Sequence, residues 1–215
     1  MTSPSPSLSP RSAREILGSP SQEFAAAVDA LGRERWAITD AVHHVPSKPG
    51  LYAIYGDDLA WRDLKLDPMP DLPLYVGKAE QSLVARDISD HFATNPKSKP
   101  TTGRSTVRRS FAALLRESLH LNAVPRNLDN PGYFAMYGLA DSGDDRLNEW
   151  MHSRLTIAVW PAPAGMQVRL KDVETAVIEH FCPPINLDSN PGKLERLKRA
   201  RADMAAEASR WRAGS

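Results

Sequence analysis

Residues 50–92, GLYAIYGDDLAWRDLKLDPMPDLPLYVGKAEQSLVARDISDHF, decide how this chain is read. Residues 50–55 alternate Leu51, Ala53 and Tyr55 against Tyr52 and Ile54, the period-two pattern of a strand. Residues 74–77, LYVG, make a second short strand, and the two are expected to pair as an antiparallel hairpin. The acidic, proline-bearing stretch between them, residues 56–73, reads as a long loop. Ser82 is placed to cap a helix over residues 83–92, which carries Arg86 and His91.

A second stretch lies far downstream, residues 173–186, VETAVIEHFCPPIN. Residues 170–181 read as a helix that Pro183 and Pro184 stop. Glu174 shares a face with Val177, Ile178 and Phe181, which turns its carboxylate toward the sheet, whereas Glu179 falls between the apolar positions and reads as solvated. An inward carboxylate is costly unless it is paired or bound to a cation. Magnesium favours one or two carboxylates together with substrate phosphate and water.

Outward from these stretches, residues 1–12 are Ser/Pro-rich and cannot bury a core. A helix is expected over residues 22–31. Further helices are expected from Ser105, with its arginines facing away from the apolar stripe, from Asp144 or Asp145 to Arg154, and over residues 193–212. Residues 133–139 and 155–160 read as strands. The divisions are a disordered tail (1–12), a helical extension (13–45), a central domain (46–190) and a basic C-terminal helix (191–215). Short strands and helices alternate without a regular βαβ rhythm, so the expected class is α+β, a small antiparallel sheet flanked by helices.

Composition narrows the function classes. Of 215 residues, 41% are hydrophobic and 25% charged, ordinary for a globular protein. No apolar run reaches membrane-spanning length, so no membrane partner is expected. The single cysteine, Cys182, excludes an internal disulfide framework and a cysteine zinc cage. With no secretory pattern at the N-terminus, the expected compartment is the cytoplasm. A net charge of +1 leaves nucleic-acid binding to local patches. Arg104, Arg108, Arg109 and Arg116 form one such patch; Lys193, Arg196, Lys198, Arg199 and Arg201 form another. The tryptophans at 61, 150, 160 and 211 read as packing residues.

Singly, the polar residues say little. Tyr52 and Tyr75 are what strands favour in any case, although a phenol also binds phosphate or exchanges a proton. Arginine suits phosphate because its planar donors match two oxygens. Arg86 and His91 are five residues apart, about 140° beyond a full helical turn, so on a regular helix they point apart. In this order, however, the residues resemble the GIY-YIG nuclease family. Its first signature stands here as Gly50-Leu51-Tyr52 and its second as Tyr75-Val76-Gly77, followed by Lys78. Arg86, His91, Glu174 and Asn186 match its arginine, histidine, metal-binding glutamate and late asparagine. The Arg86–His91 offset is one residue longer than is common in the family, and the likeness spans about residues 49–187.

The resemblance implies a three-stranded antiparallel sheet flanked by helices, and a metal-dependent endonuclease that hydrolyses DNA phosphodiester bonds. It assigns Mg²⁺ (or Mn²⁺) to Glu174 and a phosphate oxygen to Arg86. Tyr52 is expected to accept or relay the proton of the attacking water, with Lys78 lowering its pKa. Tyr75 and His91 would position water or phosphate, and Asn186 would brace the site or hold phosphate. Lys78, Arg104, Arg108 and Arg109 are expected to contact nucleic acid. Double-strand cutting would call for a homodimer or sequential nicking. The alternative is a nuclease-like module that binds nucleic acid or a protein partner without cleavage.

Overall fold

The computed structural model describes residues 22–84, 92 and 102–212. It is built on strand β2, Gly50–Gly56, whose seven residues are all buried. β2 can be apolar throughout because it has neighbours on both edges and helices on both faces. It pairs antiparallel with β3, Tyr75–Ala79, through Tyr52↔Gly77 and Ile54↔Tyr75. On its other edge it pairs antiparallel with β6, Leu155–Pro161, through Tyr52↔Val159. β1, Trp36–Ala37, adds to the far edge of β6. Among the described residues the sheet is therefore four-stranded, in the order β1-β6-β2-β3, where three strands were expected. β1 has only two residues, too short for any periodicity to reveal it.

Strand alternation sends side chains into two separate cores. Leu51, Ala53, Tyr55 and Val76 meet helix α1, Gln22–Arg33, and helix α5, Leu170–Phe181. The Tyr55 hydroxyl donates to the Leu31 carbonyl at 2.8 Å, which satisfies a backbone acceptor in the last turn of α1. Tyr52 and Ile54 face the opposite layer, with Phe111 of α3 (Thr106–Leu114), Trp150 and Met151 of α4 (Gly143–Arg154), and Leu197 and Met204 of α6 (Glu195–Arg210). Trp61, Trp150 and Trp160 are buried, the packing role expected of them.

Several local expectations need correction. The loop over residues 56–73 contains helix α2, Asp58–Asp63, which Asp57 caps by accepting from the Ala60 N–H at 2.6 Å. Residues 133–139 are not one strand. A 3₁₀ turn, Phe134–Met136, precedes a two-residue strand β5, Gly138–Leu139, that pairs with β4, Ala123–Val124. The N-cap of α4 is Ser142, not Asp144 or Asp145. α3 ends at Leu114, and its arginines do not face away from the core: Arg108 is fully buried and Arg109 is 6% exposed. Most of the helix expected over residues 83–92 lies outside the described residues. No helix among the described residues is long and apolar enough to cross a membrane.

Candidate active site

The functional side chains gather at the β3 edge. α5 ends at Phe181, and the capping residue Cys182, with a φ of 47°, reverses the chain into Pro183 and Pro184. The following loop then runs beside β3. The Ile185 N–H donates to the Leu74 carbonyl at 2.9 Å. The Asn186 amide takes both hydrogen-bonding groups of Val76: Oδ1 accepts from its N–H and Nδ2 donates to its carbonyl, each at 2.8 Å. Asn186 thus stands in for the next strand of the sheet. Of its two expected roles, bracing is the one its geometry performs.

A cleft of about 100 Å³ opens where the two layers meet at this edge. Tyr75 of β3, Lys171 and Glu174 of α5, and Asn186 and Asp188 of the following loop border it. Thr106 of α3 and Arg201 of α6 border it from the other layer. Tyr75 and Glu174, distant in sequence, therefore border one cleft, which Tyr52 does not border. Glu174 is 8% exposed, and Lys171 Nζ stands 2.9 Å from its Oε2. The inward-facing glutamate read from the helix pattern is thus paired, which offsets part of its desolvation. Glu179 is exposed, as read.

The two signature tyrosines differ in position. Tyr52 is 1% exposed, deep in the layer of α3, and its ring centroid lies 6.1 Å from that of Tyr75. Tyr75 is the one that borders the cleft; Tyr52 backs it. Gly77 makes this close, tilted packing of the two rings possible. A Cβ there would fall 2.5 Å from both Cζ and Oη of Tyr52 and 2.9 Å from Cε1 of Tyr75. The second signature ends in glycine because the first signature's tyrosine fills that space.

Other expected residues are placed differently. Lys78 pairs across the sheet with Leu51, not Tyr52, so alternation directs it to the opposite face from the tyrosines. It forms an ion pair with Glu80. Lys78 therefore does not act on Tyr52 in the way expected of it. Arg108 cannot touch nucleic acid: Nη2 is 3.1 Å from Asp144 Oδ1, and Nη1 donates to Asn148 Oδ1 at 3.0 Å. Burial lowers its pKa and Asp144 opposes that shift. Arg109 is likewise turned inward, donating to the Gly103 carbonyl at 2.9 Å and Thr106 Oγ1 at 3.1 Å. Arg104 is exposed, as a backbone-contacting residue must be. Arg86 and His91 lie outside the described residues.

Residues 71–204 match the GIY-YIG catalytic domain, more than half of the 215-residue chain. The chain belongs to the GIY-YIG family. No curated protein matches it, and no solved structure does. The matched span differs from the expected one at both ends. It begins after Gly50-Leu51-Tyr52, so the pairing of Tyr52 with Gly77 in the sheet is what ties the first GIY-YIG signature to the matched part. It ends within α6, beyond the expected limit near residue 187. Membership makes this a nuclease-family protein with a catalytic domain of that type. Sequence reasoning missed Thr106, Lys171 and Asp188 as cleft residues. Lys171 was accessible from its i,i+3 spacing to Glu174; Thr106 comes from a layer that motif spacing does not reach.

The donors at the cleft suit a hard divalent cation. Glu174 contributes one carboxylate, Asp188 borders the same space, and Glu174's ion-pair partner, Lys171, is half exposed and able to move aside. Among the described residues no three histidine, cysteine, aspartate or glutamate side chains cluster, so a cation here would complete its shell with substrate and water.

Proposed function

We propose that this protein is a divalent-metal-dependent endonuclease that hydrolyses phosphodiester bonds in DNA. The observation that carries the reading is the meeting of Tyr75 and Glu174 at one small polar cleft. Glu174 would hold Mg²⁺ or Mn²⁺, which supplies Lewis-acid stabilisation of negative charge at the phosphate. Tyr75 borders the space where water or phosphate would sit and orients it by its hydroxyl. Tyr52, packed behind it, receives or relays the proton of the attacking water. Arg86 clamps a nonbridging oxygen, where a fixed cation helps most as charge develops. His91 positions water or phosphate, and Asn186 keeps the β3 edge in register. Arg104 contacts the phosphate backbone, which gives affinity without reading sequence.

Incubation of the purified protein with supercoiled plasmid tests this reading. Relaxed or linear product is expected with Mg²⁺ or Mn²⁺ and is absent with a chelator. Plasmid that stays supercoiled in either metal, despite being bound, would establish the alternative of a binding module without cleavage.

A further inference from the structure

Tyr75, Glu174 and Asn186 are signature residues of the family; the wall that α6 contributes to the cleft carries none of them. Arg201 borders the cleft and is half-buried. Asp188 borders it too, yet Arg201 forms no ion pair or hydrogen bond among the described residues. Other groups on this helix have structural partners. Arg196 Nη2 donates to the Lys65 carbonyl at 2.9 Å, and Glu207 pairs with Arg116 at 2.6 Å. Its planar donors are therefore uncommitted within the described fold and available to an anion in the cleft.

The surroundings make the same point. Arg109 is buried close to Arg201, with its Nε lacking a partner. Burial first, then repulsion from Arg201, bring its pKa down to about 10, so it remains charged at neutral pH. Its Nη2 donates to Thr106 Oγ1, which leaves the threonine hydroxyl hydrogen to donate elsewhere, at the cleft that Thr106 borders. Lys171, Arg201 and the nearby Arg109 outnumber Glu174 and Asp188, and a bound divalent cation would widen the excess. In a partly desolvated site such an excess attracts an anion strongly.

We propose that Arg201 is a phosphate-binding residue, whose guanidinium and the Thr106 hydroxyl receive a nucleic-acid phosphate beside Glu174. This rests on the nuclease reading. Arg109 acts through Thr106, as a positioning residue. The planar guanidinium can take two nonbridging oxygens at once, which a lysine cannot reproduce.

The test measures duplex DNA affinity against salt concentration in a Glu174→Gln background, with Arg201→Ala, Arg201→Lys or Arg210→Ala added. Loss of one phosphate contact should reduce the log–log salt slope by about 0.9 in Arg201→Ala. Arg201→Lys should recover most of the slope. In the otherwise native protein, kcat/KM for cleavage should fall at least tenfold in both Arg201 variants. Arg210, exposed near the other end of α6, serves as the control and should leave kcat/KM unchanged. If the native protein cuts DNA but Arg201→Ala matches Arg210→Ala in slope and rate, the Arg201 proposal fails alone. If the native protein neither binds nor cuts DNA, it fails together with the nuclease reading.

Discussion

Lys171 and Glu174 face each other one helical turn apart at the start of α5, 2.9 Å from Nζ to Oε2. A divalent cation at Glu174 must displace that ammonium or share the carboxylate with it. The lysine is half exposed, so the pair is worth only about 0.2–1 kcal/mol. Lys171→Met should therefore raise Mn²⁺ affinity of the DNA-free protein by up to about fivefold, read by titration calorimetry. Unchanged or weaker binding would place the metal away from Glu174. Gly77 sets a second residue-scale constraint, because any side chain there enters the Tyr52 ring. Gly77→Ala should cost about 1–3 kcal/mol by overpacking, seen as a lower urea midpoint, and should slow cleavage by displacing both tyrosines. A variant of native stability would show that the rings move aside freely.

Among the elements, the loop after α5 completes the β3 edge through one side chain. Asn186→Ala would leave the Val76 N–H and carbonyl unpaired at a buried strand, at about 2–6 kcal/mol for the two groups. Equilibrium unfolding measures this, and a loss below about 1 kcal/mol would mean that water replaces the amide without penalty. Arg108 is the other element-scale link, tying α3 to α4 through Asp144. Arg108→Met should destabilise by about 3 kcal/mol, since Asp144 loses its charge partner, yet leave the salt slope of DNA binding unchanged. A flattened slope would return Arg108 to the nucleic-acid surface. These two residues also mark how far the sequence could be read. Asn186 was legible because it closes a motif of fixed order. Arg108 was misread because helix periodicity assigns charged positions to the outward face, and the charge partner that lets this one be buried is on another helix. β2 and α5 carried periodic patterns of their own, and β3 and β6 were legible as short apolar, β-rich runs. α2 spans six residues and β1 two, and they exist through a cap and a neighbouring strand rather than through periodicity.

For the whole molecule, a net charge of +1 conceals a division of labour. Charges on α6 that looked like one solvated or DNA-facing surface serve different ends. Arg196 and Glu207 hold the helix to the domain, while Arg201 reaches the cleft. Glu207 also accepts the Ala123 N–H at 3.1 Å, and Leu197, Met204 and Ala208 are buried in the same core as Tyr52. The cleft therefore depends on both layers of the fold, with α5 and its following loop contributing both carboxylates and Lys171, and the α3–α6 layer contributing Thr106 and Arg201. The central claim is that Glu174 serves chemistry at this cleft rather than folding or DNA affinity. Glu174→Gln keeps the shape of the side chain and removes its charge. Comparing plasmid cleavage in Mg²⁺ with duplex affinity for this variant and the native protein tests the claim directly: cleavage should be abolished while affinity stays within a few-fold. Metal-dependent cleavage that persists in Glu174→Gln would contradict the account.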